Sequence, residues 1–405
     1  MRTRFLLPVS GCLVALLARP AVARAQDPSE QVSMARFHVG PLGFSPTLTM
    51  GNLGIDTNVF NTSTNPTRDF TVTFTPATTE VLHVGRLLLS GATSVPLTYF
   101  ATASTQRSVG FQQTGRLDLN LIHFAPYITV AHGSTYERPD PEIDARVQQV
   151  SASASVGSIV RISPRTSLDA NYTWGSFEFP NADVFGVDIG QQLSRRTSTI
   201  NANFRTALTP LTTLVVTGAL EKDRFDANPL LNSNSLSLVP GFEFKPDARL
   251  SGSLAIGVRA LRPINPLVPQ FTGIVAKTQL SWLLRETTRL SGTFGRDVNY
   301  ALSDQTPYFV LTGASVSVTQ LVVGHVDAQA GLSRAYLAYR GQVLGASLPD
   351  LSRRDRTDTY TVGSGYRFRI DARMGFNVSY ADRLSAIDGH HYSGFTFGGT
   401  MSYGF

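Results

Sequence analysis

The chain has 405 residues, 35 Lys and Arg against 29 Asp and Glu, and an apolar fraction of 42%. No apolar run after residue 25 approaches the ~18 residues that a membrane-spanning helix needs, so any bilayer insertion must use strands, whose alternating signal vanishes in average hydropathy. No Lys/Arg cluster alternates with aromatic residues, which argues against single-strand nucleic-acid binding.

The N-terminus reads as a secretory signal peptide over residues 1–25. Arg2 and Arg4 precede an apolar stretch over residues 5–17, and Ala23-Arg24-Ala25 before Gln26 is a small-x-small cleavage site. Val9-Ser10-Gly11-Cys12 also has the outline of a lipoprotein box, but the apolar region runs on to Leu17, so cleavage at Cys12 would cut the inserting segment in two. Removing residues 1–25 takes away Arg2, Arg4, Arg19 and Arg24 and no acid, which leaves 31 bases against 29 acids. It also takes away Cys12, the single cysteine, and with it disulfide and thiolate chemistry. Residues 26–42 then form a short periplasmic leader, too short for a globular plug.

From residue 43 to 405 the chain reads as one periodic array of strands. A turn signature recurs at Thr75-Pro76-Ala77-Thr78, Ser163-Pro164-Arg165-Thr166, Thr209-Pro210-Leu211-Thr212 and Lys245-Pro246-Asp247-Ala248, with proline-free versions at residues 285–290 and 369–374. Proline fixes φ and cannot donate to a ladder, so each copy is expected to end one strand and start the next. Between the turns the parity is regular. Leu168, Ala170, Tyr172 and Trp174 alternate with Asp169, Asn171 and Thr173; Leu254, Ile256 and Val258 alternate with Ser253 and Arg259; Tyr360, Val362, Tyr366 and Phe368 oppose Arg367 and Arg369. Period 2 puts these sets on opposite faces of a sheet. The other connections are longer and polar, at residues 61–68, 137–143, 180–190, 226–234, 303–306, 341–356 and 385–389. Short turns on one rim and long loops on the other is the asymmetry of a bacterial outer-membrane barrel.

The last segment ends the chain inside a strand on an aromatic residue. Phe395, Phe397, Met401, Tyr403 and Phe405 share one parity, while Thr396, Gly398, Thr400, Ser402 and Gly404 fill the other. A strand stopping on Phe at the free carboxylate resembles the C-terminal assembly signal of outer-membrane barrels, which makes Met401, Tyr403 and Phe405 the expected contact for barrel assembly machinery. The fold expected is all-β: a single transmembrane antiparallel up-and-down barrel of about eighteen strands without a plug domain, the first strand near residues 44–60 and the last at 391–405.

Several segments are similar to a family of outer-membrane β-barrel porins associated with exopolysaccharide export. They are Ser45-Pro46-Thr47-Leu48 leading into Gly54-Ile55-Asp56-Thr57-Asn58, Glu142-Ile143-Asp144-Ala145-Arg146, Arg224-Phe225-Asp226, residues 242–252, and Arg296-Asp297 with Tyr300. The resemblance implies an integral barrel in the bacterial outer membrane, in contact with its lipid, serving as a passive conduit for a secreted polysaccharide together with a periplasmic export component. Gln320-Leu321 departs from the family's Pro- or Thr-rich turn.

A barrel of about eighteen strands is wide enough for a water-filled lumen. The polar parity offers Asp169, Asn171, Arg205, Glu221, Arg259, His325, Asp327, Gln329, Arg367 and Arg369 as candidate pore-lining residues, with Arg367 and Arg369 on one wall. Lumen charges of both signs would also pair across strands and stiffen that wall. His325-Val326-Asp327 places an imidazole and a carboxylate on one face with Ser333 beyond, but no nucleophile elbow accompanies them, so no enzyme is expected. His390 and His391 point to opposite faces and cannot ligate one metal together. Neither a cofactor nor a metal is expected. Trp174, Trp282, Tyr99, Tyr172, Tyr308, Tyr366, Tyr380 and Tyr403 lie on apolar parities near strand ends, where amphipathic rings anchor at headgroups. The loop over residues 341–356 is short for a constriction folded into the pore, which favours an open lumen. The alternatives are a general diffusion porin, or a structural or adhesion barrel with a closed lumen and partner-binding loops.

Overall fold

A computed structural model describes residues 35–180, 182–184, 186–246, 248–341, 353–369, 371–387 and 389–404. Eighteen antiparallel strands close into a barrel, as the parity and turn spacing predict. In chain order they are β1 (Leu42–Asp56), β2 (Asp69–Val84), β3 (Leu87–Ser94, continued by Leu97–Phe100), β4 (Ser108–Val109, continued by Phe111–Leu119), β5 (Phe124–Glu137) and β6 (Val147–Ser163). There follow β7 (Thr166–Glu178), β8 (Arg195–Thr209), β9 (Thr212–Phe225), β10 (Ser233–Phe244), β11 (Leu250–Pro263) and β12 (Phe271–Leu284). The last third holds β13 (Thr288–Tyr300), β14 (Tyr308–Val323), β15 (Val326–Arg340), β16 (Arg354–Arg369), β17 (Ala372–Leu384) and β18 (Tyr392–Gly404). At ~3.3 Å per residue and a tilt of about 40°, strands of this length cross a hydrocarbon layer of ~30 Å with up to a few residues to spare.

Closure is made by β18 against β1, with Met50 opposite Met401 and Gly54 opposite Gly398. A bulge at this seam shifts the register of β1 against both neighbours between residues 50 and 54, and Asn52 takes a left-handed φ of 53° there. Gly54 is required by close approach, because a Cβ at that position would run into the Phe397 carbonyl.

One parity of each strand is apolar and exposed. Ile200, Leu220, Ile256 and Val258 each show more than half of their surface. In water such a belt would be an aggregation surface; around a closed barrel it is the lipid contact. Hydroxyl residues such as Thr293, Ser315, Thr361 and Ser379 fall on the other parity and face the interior, whereas some charged residues, such as the Arg334–Asp358 pair, share the outward parity.

One rim carries tight turns, including the two-residue connections 85–86, 164–165, 210–211 and 324–325, where Gly324 supplies a φ of 53°. The first of the expected turns is not a turn. Thr75, Pro76, Ala77 and Thr78 lie inside β2, paired with Thr49, Leu48, Thr47 and Pro46. There Pro76 offers only its carbonyl, which accepts from the Val95 N–H where β3 is interrupted. A short strand over Phe37–Val39 folds back onto Leu42–Phe44, and Arg36 pairs with Asp371 at 2.7 Å, so the leader adds a hairpin to the same rim.

The opposite rim holds the long connections, and its closure is uneven. β12 and β13 pair only from Leu284 opposite Thr288 to Ala276 opposite Arg296, whereas β13 and β14 stay paired to Tyr300 opposite Tyr308. Beyond that point the β13–β14 hairpin leaves the wall and leans into the mouth. Tyr308, Phe309, Val310 and Leu311 are all buried, on both parities, which a strand lining a wet lumen cannot achieve. Phe309 and Leu311 pack on Leu337 and Tyr339, and Tyr308 packs on Leu261 and Val268. Tyr308 is therefore not a headgroup anchor as its parity suggests; Tyr99, Tyr172, Trp174, Trp282 and Tyr366 do stay on the exposed belt.

Candidate functional site: the lumen and its extracellular mouth

The interior wall is mostly hydroxyl. Thr293 and Ser315 meet at 2.6 Å, Thr361 and Ser379 at 3.0 Å, and Thr73 and Thr98 at 3.3 Å, all across neighbouring strands. Asn201 donates to Asn171 at 3.2 Å, and the Thr217 hydroxyl donates to Asn203 at 2.8 Å. Such groups bond to one another and keep lone pairs or protons for water or a solute.

Several charges on this wall are neutralised locally, while Lys277, also on the inward parity, is exposed. Arg205 forms a two-point pair with Glu243. Arg259 sits between Glu221 at 2.5 Å and Asp297 at 3.3 Å. Asp327 is fully buried by Arg373 at 2.6 Å and Arg367 at 3.3 Å. Asp169 accepts from the Tyr127 hydroxyl at 2.8 Å, and the Arg116 guanidinium lies 3.7 Å over the Tyr127 ring while pairing with Asp118. Gln329 bonds Asn377. Of the ten residues expected on the wall, Asp169, Asn171, Arg205, Glu221, Arg259, Asp327, Gln329 and Arg367 thus face inward, as members of ladders rather than as free charges.

Two do not. A bulge between Arg367 and Arg369 places Arg369 opposite Ala372, whose other neighbour is Tyr403 on the outer face. Arg369 consequently donates to the Tyr403 hydroxyl at 3.2 Å on the outside of the rim, not on the wall of Arg367. A single extra residue reverses parity, and alternation in sequence is blind to it. His325 belongs to the two-residue turn 324–325, exposed, with its ring 6.0 Å from Tyr366 of the outer belt, so it shares no face with Asp327. Met401 and Tyr403 lie on the outward parity of β18 at the seam, whereas Phe405 and Cys12 lie outside the described residues. Among the described residues no group of three His, Cys, Asp or Glu side chains could hold a metal ion.

The extracellular mouth is packed, contrary to the open lumen expected from loop lengths. Residues 341–356 are only partly described; the packing comes from the connections 138–146, 179–194, 226–232 and 301–307. Ile143, Phe179, Ala182, Ile189, Leu193, Phe225 and Leu231 form a buried apolar cluster with Tyr300 and Leu302 against it. Beside it the Arg383 guanidinium, with no exposed surface, bridges Asp144 at 2.6 Å and Asp355 at 2.8 Å and donates to the Pro141 carbonyl at 2.7 Å. Glu142 accepts from the Leu302 N–H at 3.0 Å, joining connections from nearly opposite sides of the barrel. Sequence reasoning missed Arg383 because it stands on an ordinary polar parity; Asp355 lies on the neighbouring strand β16, but Asp144 and the Pro141 carbonyl come from a distant connection that alternation along β17 cannot reveal.

The family described as "Putative beta-barrel porin 2" matches residues 37–400. Among solved structures, the chain is similar to the outer membrane protein OpdK of Pseudomonas aeruginosa, with 10% identity, 89% of this chain and 98% of that chain covered, and a TM-score of 0.50. OccK3 (OpdO) of the same organism aligns with 9% identity over 89% of this chain and 95% of that one, at a TM-score of 0.49. The FrpB iron transporter of Neisseria meningitidis aligns at a TM-score of 0.45 and 9% identity over 88% of this chain, which spans only 64% of FrpB's length. No curated protein matches.

Proposed function

The chain belongs to the beta-barrel porin 2 family, an outer-membrane β-barrel of porin type, and we propose that its lumen passes hydrated, uncharged polyhydroxylated solutes, with a secreted polysaccharide as the best-fitting cargo. The observation that carries this reading is the wall itself: serine, threonine and asparagine line it, and Arg205, Arg259, Arg367 and Arg373 are each paired with a carboxylate of the same wall. A sugar polymer needs many weak, exchangeable hydrogen bonds and no fixed charge to trap it, and hydroxyl side chains offer both donor and acceptor. An ionic substrate would call for an uncompensated row of one sign. Secretion through a cleaved signal peptide, insertion by barrel assembly machinery and a periplasmic export partner belong to the same proposal.

A second reading, a closed barrel with a structural or adhesive role, is favoured by the packed mouth. Liposome swelling separates the two. Protein reconstituted from detergent should admit neutral sugars from mono- to oligosaccharide size at rates that fall with size and depend little on charge. Protein that inserts but passes neither sugars nor ions would leave the closed barrel as the better account.

A further inference from the structure

The connection over residues 138–146 lies at the mouth and carries three carboxylates, Asp140, Glu142 and Asp144, around its buried apolar anchor, Ile143. Asp140 accepts from the N–H groups of Glu142 at 2.7 Å and Ile143 at 3.2 Å, which sets the turn. Glu142 reaches the in-folded hairpin at Leu302, and Asp144 takes the Arg383 guanidinium and faces His390 Nδ1 at 3.4 Å. Arg138 bonds the Asp144 carbonyl at 2.6 Å and the Val59 carbonyl at 2.9 Å, which ties the segment to a third connection. The partners outside the segment, Leu302, Arg383, His390 and Val59, lie on other connections or strand ends, so the segment can swing out only by breaking those contacts together.

We propose that residues 138–146 are a proton-controlled gate over the extracellular mouth, latched to Arg383 and Leu302 in mildly acidic medium and released as the pH rises. The proposal rests on the lumen being a pore.

The sign follows from burial. Closed, Glu142 is pushed up to about 8, first by burial and then by the neighbouring Asp140 charge, and Asp140 is pushed up to about 6 by burial. Open, both carboxyls return to water and to the ordinary carboxylate range. The closed form therefore holds more protons, and its advantage is complete below the ordinary range and lost as the pH rises through 6 to 8. Arg195, Arg353 and Arg383 face the pair and oppose the shift without cancelling it, and the hydroxyl of Tyr339 lies beside Glu142. Asp355 acts in the other direction, since burial, which raises it, is outweighed by its bonds to Arg353 and Arg383, which hold its carboxyl below the ordinary carboxylate range. His390 Nδ1 faces Asp144 at 3.4 Å from the connection before β18. The gate is then tightest near the upper edge of the carboxylate range.

The test uses the whole protein in planar bilayers. Conductance should rise several-fold between pH 5.5 and 8.5, and Glu142→Gln, which keeps an acceptor for Leu302 but cannot ionise, should lower it at pH 8.5 and flatten the response. A pH-independent native conductance, or a Glu142→Gln variant that responds like the native protein, overturns the gate. A second readout does not need conduction: Ile143→Cys, compared with a cysteine placed at exposed Ser63, should react with a membrane-impermeant maleimide far faster relative to its control at pH 8.5 than at 5.5. An unchanged ratio sinks the gate, whereas a changing ratio without any conductance keeps the moving loop and rejects the pore.

Discussion

Arg383 and Asp144 meet at 2.6 Å although 239 residues separate them, and the same guanidinium reaches Asp355. One side chain from the extracellular end of β17 thus fastens the connection after β5 to the start of β16. A buried cation between two carboxylates is favourable only as a complete set, because each charge left alone bears its desolvation cost.

Removing the hub should therefore be far more damaging than its position at a loop edge suggests. Arg383→Ala leaves Asp144 and Asp355 buried with one partner fewer and is expected to cost ~3–5 kcal/mol locally. Limited trypsin digestion checks this: cleavage at Arg138 or Arg146 should accelerate sharply in the variant, while the barrel remains heat-modifiable. Unchanged cleavage would mean that the mouth is held by its apolar cluster alone.

The facing of the wall is tested at adjacent positions. Leu254 lies on the outward parity of β11 and Ser253 on the inward one. Leu254→Arg should destabilise the inserted barrel by ~2–4 kcal/mol if it sits near the bilayer midplane, whereas Ser253→Arg should be nearly neutral. Urea titrations of folding into lipid vesicles give both values, and the opposite order would invert the whole assignment.

Arg367 and Arg369 should behave differently despite standing two apart. Arg367→Ser leaves Asp327 with Arg373 alone and removes one positive charge from the wall, so reversal potentials under a KCl gradient should shift toward cations. The shift should be clear near 0.01 M salt, where the Debye length is about 30 Å, and fade near 1 M, where it is about 3 Å. Arg369→Ser removes a charge from the outer rim and should leave selectivity unchanged. Equal effects would deny the bulge.

Much of this architecture is decided by local chemistry that a linear reading can see. Alternation fixes which residues share a face, proline and glycine mark where strands cannot continue, and the imbalance of turn lengths separates the two rims. From those, eighteen strands, a closed barrel and the inward parity of Asp169, Arg205, Arg259 and Asp327 follow. Proline misleads at Pro76, where a strand at an interrupted pairing tolerates it, and alternation misleads at Arg369, where one bulged residue flips the face without changing the pattern. What only the tertiary structure decided is what fills the barrel. The inward lean of the β13–β14 hairpin, the burial of Tyr308 on both sides, and the meeting of Arg383 with Asp144 depend on contacts between segments that closure brings together. Those contacts are set by the barrel's circumference, and a circumference is a property of all eighteen strands at once, written in none of them.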